Sequence, residues 1–177
     1  MIAFFQKITD VLDESNIPYM LSGSVAMSIY IVPRATRDFD FVVHLEERDI
    51  DRFIQHFQEG YYCDRDAIKD AVKRRSMFNI IDHASGFKAD FVVLKEEAFR
   101  QEEFNRRKRV DFFNKTVYVV SPEDLLLSKL IWIQDFQSAQ QMEDIKNLTE
   151  IDQLDWPYIA KWIEQLRLKS FNLLQHE

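Results

Sequence analysis

Apolar positions recur along this chain at two periods. Ile2, Phe5, Ile8, Val11 and Leu12 fall three and four apart, which predicts a helix over 2–14, and Ser15-Asn16 with Pro18 marks its end. Tyr19-Met20-Leu21 is short and apolar, as a buried strand is, and runs into Ser22-Gly23-Ser24 and a short helix over 25–31 that Pro33 closes. Asp38 to His44 alternates acids with aromatic or branched residues, the pattern of a half-buried strand. Glu46 to Phe57 predicts one amphipathic helix with Ile50, Phe53, Ile54 and Phe57 on its apolar side, and a more exposed helix follows over 64–75. Strands over 77–82 and 87–94 are joined by His83-Ala84-Ser85-Gly86. After a charged helix over 96–107, a second hairpin pairs 110–113 with 116–120 across Asn114-Lys115. Ser121-Pro122-Glu123-Asp124 combines a capping hydroxyl, a first-turn proline and an acid three residues on, so a helix starts there and the remainder is helical. The expected architecture is α+β: a mixed sheet flanked by helices over 1–120, then a helical extension over 121–177. Phe53, Phe57, Trp132 and Trp162 sit at core-like spacings and are assigned to packing.

Composition supports a compact fold: 46% of the 177 residues are hydrophobic, with 15 Phe and 3 Trp against only 3 Gly and 4 Pro. The single Cys63 can form no internal disulfide and lacks zinc partners, which suits a reducing compartment. Asp10 and Asp13 break the first apolar run too early for a signal peptide, and no apolar segment is long enough to span a bilayer. A cytoplasmic protein with no membrane partner is expected. A net charge of -7 disfavours non-specific binding along nucleic acid. Two local basic runs, Lys73-Arg74-Arg75 and Arg106-Arg107-Lys108-Arg109, could receive an RNA backbone or be solvated helix ends. His44, His56, His83 and His176 are scattered without triad or metal-ligand spacing, so no catalysis is assigned to them.

In Asp38-Phe39-Asp40 the two carboxylates lie two apart on a strand and therefore share a face. Mg²⁺ binds through one or two carboxylates plus water and substrate phosphates, so such a pair leaves room for a triphosphate; a solvated acidic edge is the plainer alternative. Asp90 is an acid within an apolar strand, and burial obliges it to meet a cation, hydrogen-bond donors or Lys88 two residues back. Gly23-Ser24, between a strand and a helix, can present amides and a hydroxyl to phosphate. Lys129 has Leu125, Leu126, Trp132 and Ile133 as its helical neighbours, so its ammonium must snorkel out, pair with an acid or meet a ligand anion. Structural Ca²⁺ binding is disfavoured, because no twelve-residue Ca²⁺ loop with its glycine and terminal glutamate occurs.

Gly23-Ser24, then Pro33-Arg34-Ala35-Thr36-Arg37-Asp38-Phe39-Asp40, then Asp90 resemble the three signature motifs of the nucleotidyltransferase superfamily related to DNA polymerase β. With Ser-Pro-Glu-Asp-Leu-Leu-Leu-Ser-Lys-Leu following at 121–130, the chain is similar to bacterial minimal nucleotidyltransferases of the abortive-infection toxin type over roughly residues 20–148. The resemblance implies a nucleotidyltransferase-like sheet and transfer of a nucleoside monophosphate from a nucleoside triphosphate to RNA, protein or a small molecule. It implies Mg²⁺ or Mn²⁺ on Asp38, Asp40 and Asp90, with Asp90 completing the site or deprotonating the acceptor. Gly23, Ser24, Arg34 and Lys129 would hold the nucleotide, and Arg37 and Asp144 would support the site. It also admits an antitoxin or toxin partner and a phage-defence setting, although the Arg-Gly of antitoxin-type relatives is missing after Ala26. A non-catalytic nucleotide- or protein-binding module of the same fold is the alternative.

Overall fold

A computed structural model describes residues 1–31 and 36–174 of the chain. Helix α1 (Ile2–Glu14) buries Phe4, Phe5, Ile8, Val11 and Leu12 and ends where Asn16 turns to a φ of 52°, a conformation asparagine tolerates. The chain continues through β1 (Tyr19–Ser22), α2 (Gly23–Tyr30), β2 (Asp38–Val43), α3 (Ile50–Gln55), β3 (Tyr61–Tyr62), α4 (Arg65–Arg74), β4 (Met77–Asp82) and β5 (Lys88–Val93). It ends with α5 (Ala98–Asn105), β6 (Lys108–Phe112), β7 (Lys115–Val119), α6 (Pro122–Asp135), α7 (Ala139–Thr149) and α8 (Trp156–Leu166). The strands form one mixed sheet of seven among the described residues, ordered β3-β4-β5-β2-β1-β7-β6. β2 runs parallel to β5 and β1 parallel to β7, and the other neighbours are antiparallel.

Alternation along β2 and β5 sorts their side chains by face. Phe39, Phe41, Ala89, Phe91 and Val93 are buried, whereas Asp38, Asp40, Lys88 and Asp90 take the opposite, more open face. Phe41 and Phe91 are register partners with ring centroids 5.6 Å apart, and Phe91 stacks again on its other partner Phe78 at 5.0 Å. These cross-strand aromatic pairs hold the acids in place, because a one-residue slip would drive the carboxylates into the aromatic layer.

The elements follow the apolar pattern closely, with three local differences. The helix expected over 46–57 is interrupted: Glu46 and Asp49 form a reciprocal capping box around a single 3-10 turn (Glu47–Asp49), and only then does α3 begin. The β6–β7 turn lies at Phe113-Asn114 rather than Asn114-Lys115, since Phe112 pairs with Lys115 and both turn residues take positive φ, 50° and 60°. Such a two-residue turn matches strand twist, and the alternation of Val117 and Val119 into the core sets its register. The two-residue edge strand β3, paired with β4, carries too short a pattern to be seen.

Ser121 caps α6 as its sequence indicates, accepting from the Asp124 amide at 3.2 Å. Asp124 is fully buried, and its carboxylate accepts from Ser121 at 2.6 Å, Tyr158 at 2.6 Å and Arg106 at 3.1 Å, tying α6 to α8 and to the end of α5. Asp124→Ala would strand Arg106 and Tyr158, so it is expected to lower stability by about 3 kcal/mol in urea denaturation. No helix among the described residues is long and apolar enough to cross a membrane.

Candidate active site

β1 delivers Ser22 opposite Asp40, and the chain turns from strand to helix within one residue. That residue, Gly23, has a φ of +62°, and a Cβ built on it would lie 1.9 Å from Asp40 Oδ2. Glycine thus serves both the turn and the close approach of a carboxylate to the start of α2. Ser24, in the first turn of α2, lines the same cleft as Asp40.

Register brings the acids together. Asp40 lies opposite Asp90 on the parallel strands β2 and β5, and Asp38 lies opposite Lys88. Lys88 Nζ stands 2.8 Å from Asp90 Oδ2 and 3.9 Å from Asp38 Oδ1, so the lysine partner considered for Asp90 is formed. Yet Asp90 Oδ1 is buried without any hydrogen-bond partner, an arrangement that folding alone disfavours. Burial, with Asp90 and then Asp38 adding repulsion, raises the Asp40 pKa above the ordinary carboxylate value, and Lys129 and Lys88 only partly oppose this. Among the described residues no three His, Cys, Asp or Glu side chains close around a metal position. Crowded carboxylates facing an orphaned buried oxygen nevertheless fit a hard cation that takes its other ligands from water and phosphate.

This charge pattern has a pH signature. The folded state holds the Asp40 proton more tightly than the unfolded chain does, so metal-free stability should fall as pH climbs from the ordinary carboxylate pKa through the raised one. A divalent cation held by Asp40 would compete with that proton. The gap between melting temperatures with and without Mg²⁺ is therefore expected to widen with pH across that window, and to stay flat in Asp40→Asn.

Lys129 is only 6% exposed, and its ammonium meets Asp144 Oδ2 at 2.8 Å and Gln141 Oε1 at 3.1 Å. Of the three outcomes open to a lysine on an apolar face, pairing with an acid is the one formed. Asp144 is itself buried on α7 rather than on a solvated helix surface. Lys129 still faces the cleft and acts electrostatically on Asp40.

The cleft has a volume of about 600 Å³ and extends from Gly23, Ser24 and Asp40 along Val42 and Val92 of the sheet, with α6 as the facing wall. Trp132, assigned to the core from its spacing, is instead 64% exposed and lines this cleft. α6 is buried all round from Pro122 to Leu127, but beyond Lys129 only one flank packs, through Leu130 and Ile133, and the other opens onto the cleft. Phe53, Phe57 and Trp162 are buried as their spacing indicates. Arg100, Glu103 and Ser128 also line the cleft. Arg100 and Glu103 gave no sequence signal, because they lie in a run of charges that reads as a solvated helix, and Ser128 entered only as part of the stretch 121–130.

Arg37 is exposed just before β2, and Arg34 lies outside the described residues. Thr36 fixes the approach to β2 by accepting from the Asp38 amide at 3.2 Å. Much of the basic runs is used internally. Arg74 pairs with Asp70, Arg75 with Glu96, and Arg106 with Glu123 and Asp124, while Arg107 lies over the rings of Phe104 and Tyr118.

A family model described as "Nucleotidyltransferase of unknown function (DUF6036)" matches residues 1–173. No curated protein matches the sequence. The solution structure of the antibiotic-resistance factor ANT(2'')-Ia is similar with a TM-score of 0.64 at 14% identity, over 94% of this chain and 90% of that one. ANT(2'')-Ia in complex with adenylyl-2''-tobramycin gives 0.56 at 13% identity, over 94% of each chain. The lincosamide antibiotic adenylyltransferase LnuA, bound to lincomycin, gives 0.54 at 17% identity, over 85% of this chain and 96% of that one. At these identities the likeness concerns the fold. A family model spanning nearly the whole chain, joined to a shared mixed-sheet fold, makes this protein a member of the nucleotidyltransferase family.

Proposed function

We propose that the protein transfers a nucleoside monophosphate from a nucleoside triphosphate to a hydroxyl of an acceptor, whether RNA, protein or a small molecule. One observation carries this reading: Asp40, set opposite Asp90 across β2 and β5 and against Gly23, lines a cleft that Lys129 also lines. Asp38, Asp40 and Asp90 would hold Mg²⁺ or Mn²⁺, which when bound neutralises triphosphate charge and favours in-line displacement. Gly23, Ser24 and Lys129 orient the phosphates, with Arg34 and Arg37 as further contacts before β2 and Asp144 fixing the lysine. Asp90 has one oxygen not paired with Lys88, and that oxygen either completes the metal site or accepts the proton of the acceptor hydroxyl. The hydroxyl oxygen then bonds to the α-phosphorus as the bond to the β-phosphate oxygen breaks and pyrophosphate leaves.

Internal pairing of Arg74, Arg75 and Arg106, together with the net charge of -7, supports a small molecule over a polynucleotide as acceptor. Same-fold proteins named for adenylyl transfer to antibiotics agree with that preference. The test supplies α-labelled triphosphates with pools of RNA, protein and hydroxyl-bearing small molecules, in Mg²⁺ or in chelator. Label should pass to one pool with equimolar pyrophosphate release, and the transfer should vanish in chelator and in Asp90→Asn. Label that never leaves the triphosphate in any pool would reduce the fold to a binding role.

A further inference from the structure

Three cleft residues have no part in metal or phosphate binding as described: Arg100, Glu103 and Ser128. Glu103 is 2% exposed. Its Oε2 accepts from Arg100 Nη1 at 2.9 Å, its Oε1 accepts from the Ser128 hydroxyl, and Arg100 Nη1 also donates to Ser128 Oγ at 2.6 Å. Both carboxylate oxygens and the hydroxyl are therefore engaged within the cluster. The guanidinium is bonded through Nη1, and the Arg100 side chain, which lines the cleft, keeps 28% exposure. A planar group with five N–H donors and no acceptor has donors left over, and donors are what this end of the cleft offers a ligand.

The cleft that both this cluster and Asp40 line is walled by Val42 and Val92 on the sheet and by Ile131 and Trp132 on α6. Anionic phosphates suit the end with Gly23, Ser24 and Lys129. What remains of a nucleotide is a flat body with apolar faces and a polar edge, which matches apolar walls closed by a fixed hydrogen-bonding group.

We propose that Arg100, positioned by Glu103 and Ser128, reads the edge of the nucleotide base and selects the keto bases guanine and uracil over the amino bases adenine and cytosine. Guanine offers O6 and N7 together to a guanidinium fork, and uracil offers O4. Adenine and cytosine carry an amino group where guanine and uracil carry that keto oxygen, so the same edge turned to Arg100 sets donor against donor. The inference rests on the nucleotidyl-transfer reading, since the base can lie here only if the triphosphate lies at Asp40.

The test is calorimetric binding of GTP, UTP, ATP and CTP with Mg²⁺, without acceptor, to the wild type, Arg100→Gln and Arg100→Lys. The wild type should bind the keto pair about tenfold tighter than the amino pair. Arg100→Gln should bring all four within about threefold, and Arg100→Lys should keep GTP affinity better than it keeps the preference. Equal binding of the four by the wild type overturns the proposal on a protein with no altered residue. So does an unchanged preference in Arg100→Gln, which would assign the cluster to the acceptor, or a uniform loss across the four, which would assign it to phosphate. Failure of every triphosphate to bind the wild type would instead defeat the nucleotidyl-transfer reading beneath it.

Discussion

Asp40→Asn is expected to lower nucleotidyl transfer on the order of 10³-fold while the metal-free protein melts no lower than the wild type. Both halves follow from one arrangement. The Asp40 carboxylate is half-buried opposite Asp90 and two residues from Asp38, and desolvation with those two charges raises its pKa. Ionised, it is a burden on the fold, so an uncharged isostere relieves repulsion. In the proposed function the same charge would hold the cation, so the isostere would remove it where it is used. A residue kept only for packing would show the reverse, with stability lost first and activity following. Transfer rates at saturating triphosphate, set beside thermal melts in chelator, separate the two.

Gly23→Ala is expected to be nearly as damaging, through geometry alone. Alanine at a φ of +62° pays about 1–2 kcal/mol for the left-handed backbone. Its Cβ, 1.9 Å from Asp40 Oδ2, must also push that carboxylate aside. Displacing a reacting group by about 1 Å commonly costs on the order of 10²-fold in rate. Urea denaturation should therefore show a modest loss and transfer a large one. An alanine variant with wild-type transfer would mean that the close approach of Asp40 to α2 has no functional weight.

Much of this was legible in the sequence, for reasons that differ by residue. Strand alternation alone put Asp38 and Asp40 on one face and Asp90 within an apolar strand, since period two is a property of the backbone. The pairing of Asp40 with Asp90 was not legible, because it depends on β5 lying parallel to β2, and no local signal encodes which strands become neighbours. Lys129 could be flagged as an ammonium on an apolar face, but its acid Asp144 sits on another helix. Trp132 misled, because helical spacing says which residues share a stripe and not whether that stripe meets core or cleft. Arg100 and Glu103 were silent for a related reason: charges become a buried cluster only once α5 meets Ser128 on α6. The capping box that splits the helix at 46–57 was present in Glu46 and Asp49, but apolar periodicity running through it hid the break.

The central claim is that Asp38, Asp40 and Asp90 form with metal the nucleotide site of this cleft. Calorimetric titration of the four nucleoside triphosphates, with Mg²⁺ and with chelator, into the wild type and an Asp38→Ala/Asp40→Ala double variant tests it most directly. The expected result is micromolar binding that requires Mg²⁺ in the wild type and disappears in the double variant, while both proteins melt cooperatively. Triphosphate binding that ignores both the metal and the two aspartates, or no binding by the folded wild type, would contradict it.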